Sequence, residues 1–103
     1  MLESAYKACL MFELLERGLD VEREKALPLV YRGRELDCRY RLDLLVEGVV
    51  IVEVKAIERL ERVHHAQLLS YLRQLKLTLG LLFNFNVKWL QDGIKRVVNA
   101  FPE

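Results

Sequence analysis

The chain has 103 residues, 52% hydrophobic and 30% charged, with a formal net charge of +1. That length supports one core, the composition excludes a disordered chain, and the balanced charge excludes a uniformly basic surface, so any basic face must come from local clustering. No secretory h-region follows Met1 and no apolar run approaches the roughly 18 residues of a membrane span, so one domain over residues 1–103, a cytoplasmic setting and no membrane partner are expected.

Leu2 to Arg17 consists of strong helix formers and ends at Gly18, a residue suited to a helix C-terminus. Its apolar residues cover most of the helix circumference, more than one sheet face can bury. Further cover is needed, and a twofold homodimer through Ala8, Met11, Phe12 or Leu15 is expected to supply it. Cys9 in this helix and Cys38 beyond it show no repeated Cys/His spacing, so both read as reduced, buried cysteines and not as zinc ligands. Val21 to Tyr31 alternates as a strand, with Pro28 arguing for an edge or a bulge. Arg32-Gly33 turns it into a second strand, Glu35 to Val46, and Val49 to Ala56 forms the third.

The third strand is a β-branched run interrupted by Glu53, as expected of a central strand covered on both faces. Glu53 and Lys55 share one face by period-two alternation. Whether Asp43 joins them depends on the turn. A two-residue Glu47-Gly48 loop sends the two carboxylates to opposite faces. A three-residue Val46-Glu47-Gly48 loop pairs Asp43 with Ile51 and brings Asp43 and Glu53 to one face as diagonal neighbours, leaving Leu42, Leu44, Val50, Val52 and Val54 on an apolar face. The site requires the second register. Two buried carboxylates and one ammonium leave uncompensated negative charge, which a divalent cation resolves. Glu47, at the turn, is given no chemistry.

From Leu60 to Lys76 the period becomes helical, with Leu60, His64, Gln67, Leu68, Tyr71 and Leu75 on one stripe. His64 there either packs or contacts phosphate, while His65 points elsewhere. Leu79 to Phe85 is a short apolar strand that returns through this helix to lie parallel to the third strand. Asn84 and Asn86 end it and cap the following turn. Trp89 and Leu90 begin a turn-like segment, and Ile94 to Val98 forms an edge strand or a short helix. Arg39, Arg41, Arg62, His64, His65 and Arg73 are the candidates for a basic cluster.

An Asp followed by Glu-x-Lys on a hairpin resembles the PD-(D/E)xK nuclease superfamily. Within it the chain looks like a GxxExxY protein: Glu3-Ser-Ala-Tyr6, Tyr40-Arg-Leu-Asp43, Val52-Glu-Val-Lys55, Ala66-Gln-Leu-Leu-Ser-Tyr71 and Leu82-Phe-Asn-Phe-Asn86 occur in order. The glycine and helix that open the family pattern would precede Met1. The resemblance implies an α/β, restriction-endonuclease-like core in the order α-β-β-β-α-β-β, a mixed central sheet with flanking helices.

It also implies metal-dependent hydrolysis of a phosphodiester in nucleic acid, with DNA expected over RNA. Asp43, Glu53 and the Val54 carbonyl would hold Mg²⁺ or Mn²⁺, hard oxygen donors favouring such ions over zinc. Lys55 would orient or deprotonate the attacking water and neutralise developing charge. Glu3 and Gln67 would support the site, Gln67-x-x-x-Tyr71 resembling the helix signature of RecB-type members. Arg39, Arg41, His64, Tyr71 and Arg73 would contact the nucleic acid. The alternative from another class is a catalytically silent nucleic-acid-binding or dimerisation module that keeps the fold. An intact metal site separates the two.

Overall fold

The computed structural model describes residues 2–100. Helix α1 (Leu2–Glu16) is followed by strands β1 (Val21–Tyr31), β2 (Arg34–Val46) and β3 (Val50–Lys55), helix α2 (Arg62–Leu75), strand β4 (Leu79–Asn84), a 3₁₀ turn (Leu90–Gly93) and strand β5 (Ile94–Val98). The five strands form one sheet in the order β1-β2-β3-β4-β5. The β3–β4 pair is parallel and the other pairs are antiparallel. This is the restriction-endonuclease-like α/β arrangement, with the crossover made by α2 and the last segment resolved as an edge strand.

Local chemistry explains the connections. Arg32 and Gly33 both have positive φ, 52° and 76°, as the type I′ turn of a tight hairpin requires. The β1–β2 register shifts between Pro28 and Val30, so the missing proline donor falls at a bulge on an edge strand. At the start of α2 the Nδ1 of His64 accepts the Glu61 N–H at 2.9 Å. At its end Lys76 is left-handed with φ 59°, and the Leu77 N–H reaches the Leu72 carbonyl at 2.9 Å, closing the helix as a Schellman turn.

Each face of the sheet is covered by one helix. On one, Leu44, Val46, Val52 and Val54 are buried beneath Tyr6, Leu10, Met11 and Leu14 of α1. On the other, Leu45, Ile51, Leu82 and Val97 are buried beneath Leu68, Tyr71 and Leu72 of α2. The outward stripe of α1 leaves Leu2, Phe12 and Leu15 exposed. Cys9 lies on that stripe and is exposed, which corrects the expectation of a buried thiol; the side chain of Cys38 lies outside the described residues. Met11 faces the sheet, so it does not belong to the outward surface through which a dimer was expected.

Strand β4 approaches α2 closely because Gly80 has no side chain. A Cβ there would stand 2.8 Å from Leu68 Cγ and Cδ2, and Leu68 is fully buried. Gly80→Ala is therefore expected to lower stability by ~1–3 kcal/mol, the usual cost of overpacking a filled core. Urea denaturation monitored by circular dichroism checks this, and an unchanged midpoint would show that α2 can move aside.

Candidate active site

The β2–β3 loop contains three residues, but they are Glu47, Gly48 and Val49, with Val46 opposite Val50 and Leu44 opposite Val52. Glu47 and Gly48 take positive φ, 55° and 68°, and the Val49 N–H closes on the Val46 carbonyl at 3.0 Å. Ile51 thus faces Leu45, not Asp43. Left-handed Glu47 is anchored from outside the hairpin: its N–H donates to the Asp20 carbonyl at 2.8 Å and its carboxylate accepts the Asp20 N–H at 2.6 Å. That anchorage moves the turn one residue along the chain from the expected Val46-Glu47-Gly48.

In this register Asp43 would stand opposite Glu53, yet the regular ladder ends at Leu44 and Val52. Side chains replace it. The Glu53 carboxylate accepts the Asp43 N–H at 2.8 Å, and the Asp43 carboxylate accepts the Val54 N–H at 2.8 Å. Each strand's acid thus satisfies a backbone donor of the other strand, and the hairpin is held apart at its chemically interesting end.

The alternation of β2 also inverts here. Leu44 packs in the core beneath α1 and Leu42 in the core beneath α2, although unbroken alternation would put both on one face. Asp43 and Leu44 consequently both look toward α1. The expectation of an apolar face containing Leu42 and Leu44 together is corrected. So is that of Asp43 and Glu53 as neighbours on one face: Asp43 opens toward α1, Glu53 lies on the α2 side with Ile51, and the two meet through the gap between the strands.

Asp43 lines a small polar pocket of about 140 Å³ with Glu3, Ser4, Lys7 and Val54. Glu3 reaches it from the first turn of α1, where its carboxylate accepts the Ala56 N–H at 3.1 Å. The helix is held in that position by Tyr6, whose ring stacks on Phe85 at a centroid distance of 4.5 Å, while the Phe85 N–H bonds to the Lys55 carbonyl at 2.9 Å. Lys7 Nζ lies 3.2 Å from Asp43 Oδ1 and 2.5 Å from Glu24 Oε1. The ammonium paired with the acids is therefore Lys7, not Lys55. Lys55 is half-buried one step beyond Val54, near enough to Glu53 for its charge to favour the ionised acid.

Glu53 is 5% exposed. Burial, with the Asp43 charge adding to it, pushes its carboxyl up to about 7, against the opposing effects of the Asp43 N–H, Lys55 and Lys7. A buried carboxylate with incomplete compensation suits a divalent cation, and the donors at hand are carboxylate and carbonyl oxygens of the hard kind. Among the described residues no three His, Cys, Asp or Glu side chains converge on one point, so two carboxylates and a main-chain oxygen would have to be completed by water.

Tyr71 of α2 is buried, and burial followed by the nearby Glu53 charge pushes its phenol up to about 12, keeping it a neutral donor. It packs against Tyr40 at 5.3 Å between centroids, and Gln67 lies one turn before it on α2. Gln67 itself is exposed at the border of the stripe, which is led by Leu68, Tyr71 and Leu72. His64 is committed to the helix cap described above. Arg39 and Arg41 stand on β2 opposite Pro28 and Ala26, and Arg73 is exposed on α2 beside Ser70, Gln74 and Val30, so these arginines do not form one cluster. Asn84 does more than cap a turn. Its buried amide accepts the Ile57 and Asn86 N–H groups and donates to the Ile57 carbonyl, clamping the loop after β3.

Lys7 and Glu24 escaped the sequence reading. Lys7 lies one residue after the Glu-x-x-Tyr block, and Glu24 sits in a strand with no motif around it. The signal that locates them is spatial, because it depends on α1 crossing the sheet at this point.

The sequence model of the PD-(D/E)XK nuclease superfamily matches residues 1–97. Comparisons with curated proteins and with solved structures returned no match.

Proposed function

Because the chain belongs to the PD-(D/E)XK nuclease superfamily, we propose that it is a Mg²⁺- or Mn²⁺-dependent phosphodiester hydrolase acting on nucleic acid, DNA in preference to RNA. The observation that carries this reading is Glu53, a buried carboxylate that accepts the Asp43 N–H across an opened hairpin while the Asp43 carboxylate accepts the Val54 N–H. Asp43 and Glu53, which meet through the gap between the strands and not on the one face that the expected register required, would hold the ion together with the Val54 carbonyl, and the ion would supply Lewis acidity at the scissile phosphate. Lys55 would orient the attacking water or, as a neutral amine, take up its proton, and would offset charge as the phosphate is attacked. Glu3 fixes the end of β3 through Ala56, and Tyr71 with Gln67 forms the polar wall beside Glu53. Arg39 and Arg41 on one side, and Arg73 on the other, supply separate phosphate contacts.

The test is cleavage of supercoiled plasmid and of single-stranded RNA with Mg²⁺, with Mn²⁺ and with EDTA. Metal-dependent nicking of the plasmid is expected. Cleavage that persists in EDTA, or that is confined to RNA, contradicts the reading. A second reading, a catalytically silent nucleic-acid-binding module, is favoured by one observation: an ammonium already sits on Asp43.

The exposed Leu2, Phe12 and Leu15 on α1 support a homodimer as the assembly, which leaves the hairpin free. Light scattering at micromolar concentration should give twice the chain mass of 12.1 kDa. A mass of one chain excludes it. No helix among the described residues is long and apolar enough to cross a membrane.

A further inference from the structure

Glu24 is a non-glycine residue with φ 53° in the middle of a strand, a conformation that an extended β position does not otherwise select. Its structural consequence is specific. Val21 packs in the core beneath α1 and Leu27 in the core beneath α2, an even spacing that regular alternation would keep on one face. The inversion happens at Glu24, between the Arg23–Leu44 and Lys25–Leu42 pairs, directly across from the inversion of β2 at Asp43. Both strands thereby turn a carboxylate toward α1, and Lys7 occupies the space between them.

We propose that Lys7 is a built-in counter-cation of the Asp43 carboxylate that a divalent metal must displace, and that Glu24 is the receiving carboxylate that holds the displaced ammonium. The inference rests on the metal-dependent reading above. Its basis is the shared position: Lys7, Asp43 and Val54 line the same small pocket, so an ion bound by Asp43 would stand against the Lys7 ammonium. Two cations at that separation repel strongly where solvent is scarce, and the Lys7 and Asp43 side chains are only 12% and 20% exposed. Glu24 is the closer partner of the ammonium, 2.5 Å against 3.2 Å, and its side chain is more open at 35% exposure. A rotation of Lys7 toward Glu24 therefore frees Asp43 without leaving the ammonium buried and unpaired.

Glu24 and Lys7 together would then set metal affinity without ligating the metal. In the resting protein the arrangement keeps the Asp43 charge compensated, which accounts for an ammonium at an acid that the superfamily motif devotes to metal. It also removes the conflict that favoured a silent module.

Calorimetric titration of Mn²⁺ into the full chain and three variants tests this, with circular dichroism melts confirming that each is folded. Lys7→Met, which keeps the apolar stem and removes the charge, is expected to bind Mn²⁺ roughly tenfold more tightly than the wild type; Lys7→Gln serves the same purpose if the methionine variant does not fold. Glu24→Gln is expected to bind several-fold more weakly, because Lys7 is then left to Asp43 alone. The double variant Lys7→Met/Glu24→Gln is expected to match Lys7→Met, since Glu24 acts only through the lysine. Unchanged or weaker binding in both Lys7 variants, with binding by the wild type, overturns this inference alone. A further loss on adding Glu24→Gln to Lys7→Met also overturns it, by making Glu24 a ligand. No binding by any of the proteins overturns the metal reading with it, whereas binding by the Lys7 variants only supports the displacement.

Discussion

Lys55→Ala is expected to lower plasmid cleavage by roughly 10³-fold, the scale set by losing a general base together with a charge that stabilises the transition state. Mn²⁺ affinity should stay close to that of the wild type, because Lys55 contributes no donor to the ion. The structure sharpens this separation. Lys7 rather than Lys55 is the ammonium ion-paired with Asp43, which leaves Lys55 available for the substrate side. Single-turnover cleavage and metal titration on the same preparation check the two halves. Near-wild-type cleavage would make Lys55 structural, and loss of metal binding would show that it holds the carboxylates in place.

A pH dependence of stability of about 3 kcal/mol is expected from Glu53 in metal-free protein, taking 1.36 kcal/mol per pKa unit as the conversion and burial as the cause. The sign follows from proton counting. The carboxyl has an ordinary value of 4.5 when unfolded and about 7 in the native protein, so between these values the native state holds more protons than the unfolded one. Stability is therefore full below pH 4.5 and declines as pH rises through 7. Urea denaturation in EDTA at pH 5 and pH 8 measures it, with Glu53→Gln expected to flatten the difference. Mn²⁺ should restore more stability at pH 8 than at pH 5, since the ionised carboxylate is the form that receives it. Equal stability at both pH values in the wild type would mean that water or a local opening relieves the burial.

The order of elements was legible in the sequence because each carried its own period. The β-branched run of β3 marked a strand covered on both faces, Arg32-Gly33 marked a hairpin turn, and the shift to helical spacing after Leu60 marked the crossover. Side-chain direction around Asp43 was not legible. The turn position depends on Asp20 gripping Glu47 from another segment, and the inversion of β1 and β2 depends on the left-handed Glu24 standing across from Asp43. Neither leaves a periodic trace, since an inversion looks the same in sequence as an ordinary polar residue in a strand. His64 and Gln67 illustrate a related limit: both belong to the expected stripe of α2, yet one is consumed by the helix cap and the other sits at its exposed border. The motif located the acids; only the packing of α1 revealed Lys7 between them.

The opened hairpin as a divalent-metal site is tested most directly by calorimetry of Mn²⁺ binding to the wild type and to Asp43→Ala. One ion per chain is expected for the wild type, with affinity reduced by more than about tenfold in Asp43→Ala, because one of two carboxylate donors is removed. Equal affinity in the wild type and Asp43→Ala, or no binding heat at millimolar Mn²⁺ in the wild type and in both Lys7 variants, would contradict a metal site here.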